Sequence, residues 1–243
     1  MDRLTKFALF IACLILASCS PKYYVPNTQN VPLLTSKGDF SGGVAGNGSQ
    51  FEIQASYGIA DHIGLMADAS LFKQKDDENG SGGSGKYFEG GLGYFSRLGA
   101  ASPWIFETYG LFGIGNMENH FPNTVNKYPN TTGKIEANVA RFALQPAIGY
   151  KHKYFEIAAS PKLSYINYSD IKGSLIFDDQ DQIKYLIDNK SSLLFEPALT
   201  LRFGLKQFKL QLQLSKSLNL SNEDFKQDKS FITVGCGYQF TRD

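Results

Sequence analysis

After residue 17 the chain has no long apolar run, which excludes a membrane-spanning helix, since that needs roughly 20 apolar residues. It also lacks charge of one sign: 24 Lys and Arg stand against 23 Asp and Glu, so the basic footprint of a nucleic-acid-binding protein is missing. Only 3 methionines are present and long helix-forming stretches are few, which argues against a helical bundle. What the chain has instead is 24 glycines, 19 phenylalanines and 13 tyrosines. Glycine with aromatics reads as β structure, and β-barrels routinely use this length as one domain.

The N-terminus carries Arg3 and Lys6 ahead of the apolar run Phe7 to Leu16, which is too short to span a bilayer and is ended by polar residues from Ser18. That is the layout of a signal peptide. Directly behind it, Leu16-Ala17-Ser18-Cys19 resembles the lipobox of bacterial lipoproteins. The resemblance implies cleavage before Cys19 and a covalent diacylglycerol and N-acyl lipid on that cysteine, with no other cofactor and no metal. Cys13 then leaves with the signal, Cys19 is consumed by lipid, and Cys236 has no partner for a disulfide. The expected organisation is a signal peptide over 1–18, a lipidated periplasmic tether over 19–38 and a barrel over 39–243. Pro21, Pro26 and Pro32 keep residues 20–37 from being a strand, hence the tether.

From Asp39 onward period-2 segments of about ten residues alternate with turns or loops. Ten are expected, starting near Asp39, Phe51, Ile63, Tyr87, Trp104, Ala137, Tyr154, Ser192, Gln207 and Ser230. In the ninth, Phe208, Leu210, Leu212 and Leu214 alternate with Lys209, Gln211, Gln213 and Ser215. The polar face is mostly small residues and glutamine, too poorly hydrated for the exterior of a soluble barrel. Short links at 60–62, 99–102, 151–153 and 205–206 alternate with long ones near 74–86, 117–136, 169–191 and 218–229, as short periplasmic turns and long outer loops do. Trp104, Phe106, Tyr150, Phe155, Phe203 and Phe208 sit beside the short turns, where an interfacial girdle belongs. The expected fold is therefore all-β, a transmembrane antiparallel up-and-down barrel of about ten strands. An even strand count returns both barrel ends to the short-turn side, so a lipid on Cys19 would reach the inner leaflet of the outer membrane. Pro146, Pro161 and Pro197 fall inside strands and predict β-bulges.

Taken with the lipobox, the tract Tyr23-Tyr24-Val25-Pro26-Asn27 through Val31-Pro32-Leu33-Leu34 resembles small outer-membrane barrel lipoproteins of the Bacteroidetes kind. Phe240 resembles the terminal aromatic of such barrels, although Thr241-Arg242-Asp243 follow it. No activity is assigned to that family, so the resemblance implies a location in the outer membrane and not a function. The implied partners are outer-membrane lipid and the barrel-assembly and lipoprotein-processing machinery, with no nucleic acid.

Five Phe-Glu pairs recur, at Phe51-Glu52, Phe88-Glu89, Phe106-Glu107, Phe155-Glu156 and Phe195-Glu196, each with Phe towards lipid and Glu towards the lumen. Asp68, Arg97, Arg141, Lys162, Arg202 and Lys209 share the inward face. Buried charges must be paired or hydrated, so a mixed-charge lumen network is expected from Glu52, Asp68, Glu89, Glu107, Arg141, Glu156, Lys162, Glu196, Arg202 and Lys209. The leading functional reading is a non-enzymatic barrel with displayed outer loops and a largely closed, charge-filled lumen. The alternatives are a narrow pore for small solutes, an enzyme at the outer rim using His120, and a lipid-anchored soluble barrel holding an apolar ligand. Asp76-Asp77-Glu78 and Asp178-Asp179 with Asp181 read as solvated loop tips without calcium-loop spacing, and Ile176 to Ile187 as a short amphipathic helix.

Overall fold

The computed structural model describes residues 20–74, 81–100, 102–122 and 130–241. Residues 1–18 and Cys19 lie outside the described residues, as do Asp76, Asp77 and Glu78. Ten strands carry the fold: β1 (Phe40–Gly46), β2 (Gln50–Ala60), β3 (Ile63–Lys73), β4 (Gly82–Arg97), β5 (Trp104–Phe121), β6 (Gly133–Lys151), β7 (Phe155–Gly173), β8 (Ser191–Gly204), β9 (Phe208–Lys216) and β10 (Ser230–Phe240). Each pairs antiparallel with the next, and β10 pairs with β1 in the register Phe40 to Phe240 through Gly46 to Val234, which closes the sheet. A helix, α1 (Gln182–Asp188), lies in the link between β7 and β8.

Alternation fixes which side chains enter the barrel. On β2, Phe51, Ile53 and Tyr57 are exposed while Glu52, Gln54 and Ser56 are buried. The same holds round the ring, so the exterior carries Leu92, Phe142, Leu210 and Val234 and the interior carries carboxylates, amides and hydroxyls. A soluble barrel would have the reverse arrangement. The apolar belt is bounded at the short-turn end by aromatic contacts, Trp104 edge-on to Tyr150 at 5.4 Å, Tyr150 stacked on Phe155 at 5.5 Å and Phe208 against Tyr238 at 5.0 Å. At the long-loop end the outward face turns charged: Lys134 bridges Glu118 and Glu136 at 3.0 and 2.5 Å. Hydrocarbon fits between these two bands.

Three local expectations need correction. The strand expected from Tyr87 begins at Gly82, because the glycine tract is what lets β4 lie flat on β5: a Cβ on Gly85 would stand 2.7 Å from the Asn116 carbonyl oxygen. The three prolines sit in an unbroken register and no bulge forms at them. Pro161 pairs with Pro197, Pro146 pairs with Thr108, and the β6–β7 register resumes unchanged from Leu144–Leu163 to Ile148–Ala159. Pro146 therefore faces Pro161, and two residues without N–H groups leave a local gap in the ladder. Register shifts occur instead at Gly58/Ala60 and Glu136/Asn138. Finally, α1 is shorter than 176–187 and buries Gln182 and Leu186, whereas Ile187 is exposed. Asp181 caps it by accepting from the Ile183 and Lys184 amides, which stops the helix from starting earlier.

Candidate functional site

Residues 20–37, expected to be a periplasmic tether, run through the barrel. A ten-stranded barrel is wider than the eight-stranded kind that side chains alone can fill, and one extended peptide occupies the difference. At the short-turn end the segment leaves through a turn held by Asp39, whose carboxylate accepts from the Thr35 and Ser36 amides and from both their hydroxyls at 2.7–3.1 Å. Gly38, at φ 90°, supplies the left-handed residue before β1. At the long-loop end the Tyr23 amide donates to the Lys226 carbonyl and the Asp228 amide to the Tyr24 carbonyl, and Lys22 pairs with Asp228 at 2.5 Å.

Between these ends the peptide has no strand beside it, so its polar groups need other partners in a water-poor lumen. Side chains of the wall supply them. Asn119 accepts from the Lys22 amide at 3.2 Å and donates to the Lys22 carbonyl at 2.9 Å. Gln213 treats Gln29 the same way, accepting at 2.7 Å and donating at 2.8 Å, as an opposed residue in a sheet would. The Thr28 amide donates to Glu52 and its carbonyl accepts from Gln54. The Leu33 amide donates to Glu107 at 3.0 Å and its carbonyl accepts from Lys151 at 2.8 Å. Gln145 and Arg202 reach the carbonyls of Asn30 and Val31. An unmet buried group of this kind costs about 1–3 kcal/mol, so the wall is complementary to this peptide.

The ten charged residues singled out from the sequence all line the interior, but they do not make one network. Glu89 holds Arg141 at 2.9 Å and Lys162 at 2.8 Å, and Arg141 lies over the Tyr87 ring. Towards the short turns, Glu156 holds Arg202 at 3.1 Å and Lys209 at 3.3 Å. Glu196 accepts from the hydroxyls of Tyr24 and Ser164, and Tyr24 in turn accepts from Arg141. Glu52, Asp68 and Glu107 serve the threaded segment, Asp68 through Asn30 at 2.7 Å. Arg97, also expected inside, stands exposed at the short-turn rim with its guanidinium on the Ser102 carbonyl. Lys151, read as a turn residue, is a lumen cation that was missed.

Leu33 shows how tightly the segment is held. It is buried at 0% exposure among Val31, Ile105, Ala147 and Ala158, with its backbone at φ 50°, a region that costs an L-residue about 1–2 kcal/mol. A Cβ on Gly149 would meet its methyls at 2.5 and 2.9 Å. Gly149→Val is therefore expected to destabilise the barrel by about 1–3 kcal/mol, seen as a lower urea midpoint, and Leu33→Ala in the same chain should recover part of the loss.

Above the belt, the long-loop end closes round a hydrophobic core. Tyr23, Tyr24, Phe121, Phe177, Leu186 and Phe225 are among its buried members. Lys226 lies over the Phe177 and Tyr185 rings at 4.9 and 4.8 Å and donates to Gln182 at 2.6 Å. The rings favour its charge, but burial outweighs them and brings its pKa from 10.5 down to about 8, with Asp178 opposing the shift. The unfolded loop binds more protons between those two values, so loop closure strengthens as pH rises through that window and bears the penalty below it. In an NMR titration of lysine Cε shifts, Lys226 should show a midpoint near 8.

His120, considered above as a rim catalyst, is on the outward side of β5 with its Nδ1 3.7 Å from Glu118. His62 sits in a short turn against the Phe95 carbonyl. Among the described residues no group of three or more His, Cys, Asp or Glu is placed to hold a metal ion.

A closed antiparallel barrel with an apolar belt and a polar interior is a membrane-spanning β-barrel of the outer-membrane type. No protein-family model matches this chain, and no curated protein matches it. Solved structures of similar shape include LpxR from Salmonella typhimurium, with 10% identity, 84% of this chain and 100% of that one covered, and a TM-score of 0.37. A major outer membrane protein from Thermus thermophilus gives 10% identity, 83% and 99% coverage and a TM-score of 0.37. OmpT, an outer membrane protein of Vibrio cholerae, gives 8%, 84% and 98%, and 0.24. These likenesses assign no role to any lumen residue.

Proposed function

We propose that this chain is a non-enzymatic outer-membrane lipoprotein, acylated at Cys19, whose barrel is closed by its own N-terminal segment and whose folded long-loop end is its working surface. The observation that carries the closed-lumen reading is the pairing of both backbone groups of Lys22, Thr28, Gln29 and Leu33 with side chains of the wall. The cavities left beside the segment support it: one near Tyr24 and Arg141 of about 60 Å³ and one near Asn30 and Arg202 of about 20 Å³. Each has room for a few waters at most, so neither is a path for solutes. A narrow pore would need this peptide to leave, and a soluble barrel with an apolar ligand would need an apolar interior. The long-loop end suits display, because a packed core there holds loops that would otherwise be ordered by nothing.

The reading is tested by planar-bilayer recording on the purified full-length protein together with fractionation of cells producing it. The expected result is no steady conductance from a protein found with the outer membrane. Sustained ohmic current from the intact chain would overturn the closed lumen.

A further inference from the structure

An anchor on Cys19 has two possible leaflets, and the direction of the threaded segment distinguishes them. The chain enters the lumen at the long-loop end, where Lys22 is fixed by Asn119 and Asp228 and Tyr23 by the Lys226 carbonyl, Gln182 and Tyr168. It leaves at the short-turn end, where Asp39 ties Thr35 and Ser36. Cys19 is three residues before Lys22 in the sequence. Three residues of fully extended chain reach at most about 11 Å. The hydrocarbon core is about 30 Å thick, so acyl chains carried by that stretch cannot reach the leaflet at the short-turn end. The lumen offers no second passage, since the segment itself and the Glu89–Arg141–Lys162 and Glu156–Arg202–Lys209 clusters occupy it.

We infer that the acyl chains on Cys19 enter the leaflet at the long-loop end, the outer leaflet, so that lipid anchor and long loops share the cell-surface side of the membrane. This reverses the leaflet that strand parity alone suggests, and it rests on the lipidation proposed above. It has a consequence for assembly. A cysteine carrying its acyl chains cannot be drawn through a lumen this full, so the β1–β10 seam closes around a segment already in place.

The test places a sequence-specific protease site, flanked by glycine and serine, between Ser20 and Pro21 of the full chain, upstream of the Lys22 anchor point. Intact cells are treated with the protease from outside, and the barrel's mass is then measured. The expected result is loss of the acyl mass from most of the barrel population, which itself stays in the membrane. Retention of the acyl mass in intact cells with its loss only after the outer membrane is permeabilised would overturn the inference. A barrel that carries no acyl mass before treatment would defeat the lipidation reading, and this inference with it, at a separate step. If the insertion prevents folding, Lys22→Cys combined with Cys236→Ala provides the second measurement. Labelling by a membrane-impermeant maleimide in intact cells is expected, and labelling confined to permeabilised cells would contradict it.

Discussion

Deleting residues 21–37 while keeping Cys19 and Ser20 is expected to turn a silent barrel into a conducting one. The deletion removes the peptide that Asn119, Glu52, Gln54, Gln213, Glu107 and Lys151 hold, and leaves those groups lining an empty ten-stranded lumen. Unpaired polar groups buried in a dry cavity are costly, but here water replaces the peptide and solvates them, so the barrel has a route to persist. Stability should nevertheless fall. Val31, Leu33 and Leu34 are fully buried in the intact protein, and each such side chain contributes about 1.5–3 kcal/mol as an upper bound, partly offset by the ordering entropy the deletion removes. The measurement is single-channel recording on intact and shortened proteins side by side, with a urea midpoint for each. Equal silence in both would mean that the wall closes by itself, and the threaded peptide would lose its role as the plug.

The second large effect is expected at Arg141. Its guanidinium is 2% exposed, bonds Glu89 and the Tyr24 hydroxyl, and connects the wall of the barrel to the threaded segment. Removing one partner of a buried ion pair typically costs about 3–5 kcal/mol, and because Lys162 keeps its bond to Glu89 the loss here belongs at the lower end of that range. Arg141→Gln should fall by about that amount in reversible urea unfolding. Glu89→Gln combined with Arg141→Gln should lose less than the two single changes added together, because they share one interaction. Lys134→Gln is the internal control: that side chain is 47% exposed and its two bridges are screened by solvent, so the urea midpoint should hardly move.

Most of the barrel was legible because alternation is a local property. Ile53 and Glu52 reveal opposite faces of a strand without reference to any other strand, and the lengths of successive links orient the whole ring. The strand that begins at Gly82 was hidden for a physical reason. Glycine reads as linker from composition, and the approach of the Asn116 carbonyl that requires it belongs to another strand. The threaded segment was hidden more deeply. Its prolines and polar residues describe a peptide that cannot join a sheet, and that is correct. What orders it is a set of wall side chains scattered along the chain, Gln213 being 184 residues from Gln29. A trace of it did exist in the sequence. Gln54, Gln145 and Gln213 are long amides on an inward face otherwise rich in small residues and paired charges, each with donor and acceptor to satisfy in a narrow lumen. The inward carboxylates Glu52 and Glu107 likewise lacked cations among the inward residues of their own strands, and what they hold is a backbone amide.

Hydrogen exchange of the native protein in detergent or nanodiscs probes the threading most directly, with no variant needed. The amides of Lys22, Thr28, Gln29 and Leu33 donate to Asn119, Glu52, Gln213 and Glu107 inside the barrel, so peptides covering 22–34 should exchange as slowly as the strands around them. Complete exchange of those peptides within seconds, at the rate of a free tether, would contradict a segment bound in the lumen.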